Sequence, residues 1–183
     1  MRGYFGIGVE GISKPMNVGN LFRSAHSFGA SFFFTVDPVV DIEGMLRSDT
    51  SDAFGHIPFY NFNSPAEILL PRQTSVVAVE LLEESVDLPS FRHPQRAVYV
   101  LGPEKGNVSP AMLSRCDHVI KIPMKFCVNV GVAGALVMYD RLLSLGRFAD
   151  RPVREGGPTD FSPEKLREEQ IMNRLARHKQ PKA

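Results

Sequence analysis

Short apolar runs alternate along this chain with stretches whose apolar residues recur at helical spacing. The runs predict strands at 4–9, 32–36, 57–60, 75–80, 97–101 and 118–122. The runs at 75–80 and 97–101 are rich in β-branched and other apolar residues, which is typical of strands buried on both faces. This alternation predicts an α/β fold in which helices flank a mostly parallel sheet.

The helical stretches carry signals at their ends. Gly29 follows one periodic stretch and predicts its C-terminal stop. Ser109 directly before Pro110 is the pattern of an N-cap followed by proline at the first helical position. The predicted helices are 20–28, 110–115 and 132–145, with a helical turn or two at 65–70 and one short helix within the polar segment 41–55.

The composition changes near residue 149. Residues 151–158 are rich in proline, glycine and charge, as expected for a linker, and a charged helix is predicted at 164–179. Because its apolar positions are sparse, we expect this helix to be peripheral. We interpret its basic C-terminal end as a solvated segment, with a contact to RNA as the alternative. The predicted organisation is therefore a core domain at 1–149 and a linker with a peripheral tail at 150–183.

Composition sets limits on the function. The 183 residues carry a net charge of +1, so RNA binding would have to depend on local clusters of Arg and Lys. The two cysteines, Cys116 and Cys127, are too few for a disulfide framework and lack metal-ligand spacing. No apolar leader or membrane-length segment is evident. We therefore expect a soluble cytoplasmic protein without a metal.

Three segments carry candidate chemistry. In the first, 17–23, Asn17 can cap a helix and Gly19 allows close approach of backbone or ligand. In the second, 101–106, two glycines follow a strand at the edge where open α/β sheets bind ligands. In the third, 122–136, Asn129 opens a helix with glycines at 131 and 134. Each of these glycines costs about 1 kcal/mol relative to alanine, which indicates a close neighbour.

In order and spacing these segments resemble the three motifs of the SpoU/TrmH family of RNA 2'-O-methyltransferases, which belongs to the SPOUT superfamily. We refer to them as the first, second and third motifs. The resemblance covers roughly residues 4–145. It implies a sheet with a C-terminal trefoil knot, S-adenosylmethionine (SAM) as cofactor, RNA as substrate and a homodimer. Candidate dimer positions are Leu136, Tyr139, Leu142 and Leu143. These residues could equally belong to the core of a single subunit.

The resemblance also implies roles for particular residues. Arg23 would position the ribose hydroxyl and stabilise the developing alkoxide, Asn17 would support it, and Glu104 and Asn129 would orient it. The residues implied to bind the cofactor are Val79, Glu80, Leu101, Gly102, Gly106, Ile122, Met124, Val128 and Val130. Candidates for contact with RNA phosphates are Lys14, Arg47, Arg141 and Arg147.

Several alternatives remain open. The chain resembles minimal, tRNA-acting members more than two-domain, rRNA-acting ones, so tRNA is the favoured substrate and rRNA the alternative. Cys127 stands where many members have serine, and a thiol is a weaker donor, which leaves an RNA-binding relative without methyl transfer as a further alternative. A different nucleotide-binding α/β protein is disfavoured by the lack of a Gly-x-Gly-x-x-Gly or P-loop motif. Cys127 as a nucleophile lacks a nearby histidine in sequence.

Overall fold

A computed structural model describes residues 3–41, 55–153, 155–157, 167 and 172. The strands are β1 (Tyr4–Glu10), β2 (Phe32–Val36), β3 (Phe59–Phe62), β4 (Ser75–Val79), β5 (Val86–Asp87), β6 (Arg96–Leu101) and β7 (His118–Lys121). The helices are α1 (Pro15–Phe28), α2 (Pro110–Leu113) and α3 (Val130–Leu145), with 3₁₀ turns at Pro65–Glu67 and Leu88–Ser90. No helix in these ranges is long and apolar enough to cross a membrane.

The strands form one sheet in the order β3-β2-β1-β6-β4-β7-β5. All six pairings between neighbouring strands are parallel, so the carboxyl ends of the strands lie along one edge. β1 and β6 occupy the centre, and β6 is buried at every position after Arg96. The predicted α/β fold with a mostly parallel, helix-flanked sheet is confirmed.

The two long helices pack against each other on one face of the sheet. A Cβ atom on Gly134 of α3 would overlap Cδ1 of Leu21 on α1 and lie 3.4 Å from Cδ1 of Ile7 on β1. Glycine at this position therefore lets α3 approach both elements closely, which explains a residue that otherwise weakens a helix. The opposite face of the sheet carries a second cluster of buried apolar side chains, which includes Met112 and Ile68.

Several boundaries differ from the sequence prediction. α1 begins at Pro15 rather than 20, with Lys14 at the N-cap and no side-chain capping bond. Asn17 lies within the helix, so its predicted role as cap is wrong. β3 lies two residues later than predicted, and the short strand β5 was not anticipated because two residues carry no periodicity. α2 ends two residues early, and α3 begins two residues before 132.

The chain forms a compact unit over Met1–Gly146 and a second unit over Arg147–Ala183. The division at 149 that we predicted remains a prediction. Most of the predicted helix at 164–179, much of the segment 41–55 and the candidate phosphate contact Arg47 fall outside the described residues. Gly29, by contrast, ends α1 in the left-handed conformation with φ of 75°, as its position after the periodic stretch predicts.

Candidate active site

A cleft opens at the carboxyl edge of the sheet, where the chain leaves β4, β6 and β7. The floor and walls combine apolar side chains with the loops that follow these strands. The lining residues are Val79, Glu80, Leu81, Leu101, Gly102, Pro103, Glu104, Gly106, Lys121, Ile122, Met124, Cys127, Val128, Val130 and Ala133. All nine residues that the sequence analysis assigned to the cofactor are among them. Their contact with a cofactor remains a prediction.

The shape of the cleft suits an adenosyl group. Its walls are mainly apolar, as a purine ring requires, and the backbone of the second motif supplies polar groups at one side. Gly102 cannot be replaced without cost, because a Cβ there would lie 3.0 Å from the backbone nitrogen of Val108. Gly106 has a φ of 108°, a conformation that side chains disfavour. The loop is therefore built to fold back tightly beside the cleft.

Glu104 binds the start of α1 to the second motif. Its Oε2 atom accepts hydrogen bonds from the backbone nitrogen and the hydroxyl of Ser13, both at 3.0 Å. Its Oε1 atom accepts from the backbone nitrogen of Lys14 at 3.2 Å and from Nδ2 of Asn17 at 2.7 Å. Four donors thus converge on one carboxylate.

Asn17 extends this network to the third motif. While its Nδ2 donates to Glu104, its Oδ1 accepts from Nδ2 of Asn129 at 2.8 Å. Oδ1 of Asn129 in turn accepts from the backbone nitrogen of Gly131 at 2.8 Å and so caps α3. One hydrogen-bonded chain therefore joins all three motifs, and it fixes the orientation of both amide groups.

The network keeps Glu104 ionised. Partial burial acts to raise the pKa of Glu104, but the hydrogen bonds from Ser13 and Asn17 outweigh it and hold the pKa below its usual value. Because these donors already occupy both oxygens, Glu104 is suited to holding α1 in place rather than to accepting a proton during a reaction.

Arg23 lies apart from this network. It is exposed on α1, and within the described ranges no hydrogen bond or ion pair connects it to Asn17, Glu104 or Asn129. Six residues along a helix amount to about 9 Å and roughly a third of a turn away from Asn17. Glu104 and Asn129 were expected to orient Arg23, whereas both side chains are hydrogen-bonded to Asn17. The role of Arg23 in the reaction remains a prediction.

The predicted role of Arg141 also needs revision. Arg141, a candidate for RNA phosphate, is 2% exposed and donates to the carbonyl oxygens of Pro94 and Gln95 at 2.6 and 2.8 Å. It holds α3 to the chain before β6 and cannot reach a phosphate.

Ser13, which hydrogen-bonds Glu104, was not predicted as a site residue, although its place between β1 and the first motif was a usable signal. The described residues contain no group of three or more His, Cys, Asp or Glu side chains that could hold a metal.

The fold and the cleft define an α/β protein with a candidate ligand site beyond the carboxyl ends of parallel strands, beside a polar network. A family model described as the SpoU rRNA Methylase family matches residues 5–139. The chain belongs to this family, which confirms the resemblance seen in its motifs.

One curated relative is the 23S rRNA (uridine(2479)-2'-O)-methyltransferase of Streptomyces viridochromogenes, which is 26% identical over 163 residues, or 81% of this chain. The chain spans less than two thirds of the length of the curated relatives it matches first, and 56% of this one.

Solved structures share the fold. The SpoU methyltransferase AviRb from Streptomyces viridochromogenes in complex with the cofactor AdoMet matches with a TM-score of 0.69 and 22% identity, over 76% of this chain and 57% of that one. A second structure, described as giving structural insights into the 2-OH methylation of C/U34 on tRNA, matches with a TM-score of 0.69 and 23% identity. The match covers 79% of this chain and 98% of the chain in that structure.

Proposed function

We propose that this protein transfers a methyl group from SAM to a ribose 2'-hydroxyl of a structured RNA. The observation that carries the proposal is the meeting of all three motifs at one cleft, through the chain of hydrogen bonds from Glu104 to Asn129. The family to which the chain belongs supports the reaction class. The relatives that the chain matches support a 2'-oxygen as the acceptor.

The residues of the cleft have separate tasks in this reaction. SAM supplies a methyl group on a positively charged sulfur. Apolar walls from β4, β6 and β7 hold the adenosyl part, and the loop after β6 limits access of water. Asn17 and Asn129 keep the starts of α1 and α3 in fixed relation, so that hydroxyl, methyl carbon and sulfur can align. Arg23 is the proposed cation for the developing alkoxide.

Basic side chains near the cleft support RNA as the substrate. Lys14 precedes α1, Lys105 follows Glu104 and Lys125 lies in the loop between β7 and α3, and all three are exposed. With the exposed Arg23 they place positive charge on each of the three motifs, although the net charge of the chain is only +1. Phosphate contacts of this kind position an RNA without reading its sequence.

We favour tRNA as the substrate and keep rRNA as the second candidate. The structure concerned with methylation of C/U34 on tRNA matches this chain over 98% of its own length, which supports tRNA. The curated 23S rRNA enzyme supports the alternative.

We propose a homodimer that uses an exposed apolar stripe on α3. Val132, Leu136, Tyr139 and Leu143 recur at intervals of four, three and four residues and are between 36 and 50% exposed. This spacing places them on one side of the helix, as a helix–helix interface requires. Leu142, also a sequence candidate for this interface, is only partly exposed.

We further propose that the chain between β7 and α3 is threaded to give a trefoil knot. The family supports this topology, and the path of the chain agrees with it. β7 lies beyond β4, on the far side of β6 from β1, whereas α3 packs on α1 beside β1. Residues 122–129 must therefore cross the sheet edge beside the loop after β6. A crystal structure in which this segment passes without threading would contradict the proposal.

The test of function is transfer of labelled methyl from SAM to separated tRNA and rRNA, taken from cells that lack the gene. We expect alkali-resistant labelled dinucleotides in the tRNA fraction. Arg23→Ala should abolish the label while SAM binding persists, and Arg72→Ala, an exposed arginine at the amino-end side of β4, is the matched control. Label in rRNA alone would select the second substrate. Full activity of Arg23→Ala would remove Arg23 from the mechanism. No label despite bound SAM would favour a relative that only binds RNA.

A further inference from the structure

Two carboxylates outside the three motifs hold the end of the cofactor-cleft loop. This loop comprises residues 102–109 and joins β6 to α2. Oε2 of Glu80 accepts from the backbone nitrogen of Val108 at 2.7 Å. Oε2 of Glu10 accepts from the backbone nitrogen of Ser109 at 2.8 Å, and its Oε1 accepts from the Ser109 hydroxyl at 2.6 Å. Consecutive backbone N–H groups are thus bound by side chains from the ends of two different strands.

Glu10 is an unusual residue for its position. It ends β1 at the centre of the sheet and is only 7% exposed. Within the described part of the chain no ion pair involves it, so its charge is balanced only by the neutral donors of Ser109. A buried carboxylate without a cation is costly unless hydrogen bonds compensate for its lost hydration. The compensating bonds of Glu10 hold the loop against the end of β1.

Glu80 faces the loop as well as the cleft. Besides the bond from Val108, its Oε1 atom accepts from the backbone nitrogen of Leu81 at 2.9 Å. Both oxygens are therefore engaged by the main chain. This arrangement gives Glu80 a structural task in addition to the contact with the cofactor that the family resemblance implied.

The clamped residues are coupled to the wall of the cleft. The backbone nitrogen of Val108 lies 3.0 Å from the position of a Cβ on Gly102, so the clamped end of the loop packs directly against its first residue. Gly102, Pro103 and Gly106 line the cleft. On the other side of the loop, Pro103 lies 3.5 Å from the position of a Cβ on Gly11, the residue that follows Glu10.

We propose that Glu10 and Glu80 are positioning residues, which set the conformation of the loop 102–109 and through it the affinity for the adenosyl cofactor. Glu10 does this without lining the cleft. The inference rests on SAM as the ligand of the cleft and concerns how strongly the free protein is organised to receive it.

The test measures binding of S-adenosylhomocysteine, the product form of the cofactor, by calorimetry. Glutamine keeps the shape of glutamate but has no charge and only one acceptor oxygen. Glu10→Gln therefore loses one of its two acceptor contacts with Ser109, and Glu80→Gln can accept from only one of Val108 and Leu81. We expect each variant to bind about tenfold more weakly, the effect of losing one charge-assisted bond. The matched control is Glu67→Gln. Glu67 also accepts a hydrogen bond from a backbone nitrogen, that of Asn63 at 2.9 Å, but it lies outside the cleft. The Glu67→Gln variant should therefore bind S-adenosylhomocysteine as strongly as wild type.

A ligand comparison separates positioning from contact. The comparison uses S-adenosylhomocysteine and an analogue of it without ribose hydroxyls. If Glu80 only positions the loop, the affinity falls by the same factor from S-adenosylhomocysteine to the analogue in wild type and in Glu80→Gln. If Glu80 binds the ribose, that fall is smaller in Glu80→Gln than in wild type, and the inference fails for Glu80. For Glu10, the test is a double-mutant cycle with Ser109. Ser109→Ala should weaken binding of S-adenosylhomocysteine. Glu10→Gln should then reduce the affinity less in the Ser109→Ala background than in wild type, because both changes act on one contact.

The outcomes also separate this inference from the proposed function. Wild-type protein that does not bind S-adenosylhomocysteine would refute SAM as the ligand and the inference with it. Binding by wild type with no loss in Glu10→Gln would refute only the role of Glu10. A loss in Glu67→Gln equal to the others would mean that affinity follows general stability, which would overturn the positioning role for both residues.

Discussion

Asn17 shows how much a single amide can organise. Its two polar atoms serve two different motifs, since Nδ2 donates to Glu104 and Oδ1 accepts from Asn129. No other pairing of donor and acceptor would satisfy both partners, because a carboxylate cannot donate and the amide of Asn129 is already oriented by its capping bond. The amide of Asn17 therefore determines how the starts of α1 and α3 meet beside the cleft.

Asn17→Asp should disable this connection. The substitution preserves shape but replaces the donor with a second negative charge next to Glu104, which is 2.7 Å from the present Nδ2. We expect methyl transfer to fall by on the order of 100-fold, because the reacting groups lose alignment. Single-turnover assays with saturating SAM test this. Asn63→Asp is the matched control, since Nδ2 of Asn63 also donates to a glutamate, Glu67, on the exposed surface. Equal losses in the two variants would contradict the prediction.

The two cysteines should differ in reactivity. Burial raises the pKa of the Cys116 thiol to about 11, so little thiolate is present near pH 8. Cys127 is exposed and lines the cleft. We expect N-ethylmaleimide at pH 8 to label Cys127 first, and S-adenosylhomocysteine to slow the labelling.

Peptide mass spectrometry locates the label, and Cys127→Ser provides a protein without the reactive thiol. This variant should retain methyl transfer, since serine occupies the position in many family members. Preferential labelling of Cys116 would contradict the assignment of reactivity, and loss of activity in Cys127→Ser would reopen the possibility of a cysteine nucleophile.

At the scale of elements, the contact between α1 and α3 depends on the small size of Gly134. Alanine would improve the intrinsic helix propensity by about 1 kcal/mol. However, its Cβ would overlap the fully buried side chain of Leu21 in a packed core, and such overpacking costs typically 1–3 kcal/mol. The two effects have opposite signs, and the steric cost is the larger.

We therefore expect Gly134→Ala to lower the free energy of unfolding by about 1 kcal/mol. Urea denaturation measured by circular dichroism gives this quantity. Adding Leu21→Ala should remove the clash, so that the cost of Gly134→Ala disappears in the Leu21→Ala background. If Gly134→Ala is costly in both backgrounds, the cause lies elsewhere than in the contact with Leu21.

The apolar stripe on α3 makes a second prediction at this scale. Leu136→Glu should place a charge in the proposed helix–helix interface and convert the dimer to monomer in sedimentation equilibrium. Leu69→Glu, at a position that is 88% exposed and lies outside α3, should leave the dimer intact. A wild-type protein that sediments as a monomer would refute the proposed interface.

At the scale of the whole molecule, a buried polar cluster joins α3 to the central strand β6. Nδ1 of His93 lies 2.6 Å from the Tyr99 hydroxyl, and Nε2 lies 2.9 Å from Oδ2 of Asp140 on α3. Nη1 of Arg141 donates to the same hydroxyl at 3.2 Å. Burial lowers the pKa of His93 despite the opposing effect of Asp140, and burial raises the pKa of Tyr99 to about 12.

Stability should therefore depend on pH through His93. Because its pKa is lower in the folded protein than in the unfolded chain, the unfolded chain takes up a proton first as the pH falls below about 6.5. The stabilisation is complete above that value and declines as the pH falls towards the lowered pKa. Glu104 adds a second decline at more acidic pH, because its pKa is also lowered.

Unfolding temperatures between pH 8 and 5 test this prediction. The difference between wild type and His93→Gln should shrink as the pH falls, because glutamine does not titrate. A difference that is constant over the range would show that protonation of His93 does not contribute.

The sequence by itself determined the class of fold, most strand positions and the family, and through the resemblance to that family nine of the residues that line the cleft. These features depend on local signals: apolar runs of strand length, glycines at strand ends and Asn129 ahead of a helix. A parallel sheet also brings the carboxyl ends of its strands to one edge, which is why the motifs that follow those strands were expected to lie together.

Only the tertiary structure decided which side chains pair. Asn17 reads as a helix cap until the structure places Glu104 within 2.7 Å, at a separation of 87 residues along the chain. Arg141 is a candidate for contact with RNA phosphates until the structure shows it donating to the carbonyl oxygens of Pro94 and Gln95. Glu10 reads as an ordinary strand end until Ser109 arrives from 99 residues away. The physical reason is common to all three: a hydrogen bond depends on distances of tenths of an ångström between groups remote in sequence, and no local pattern encodes them.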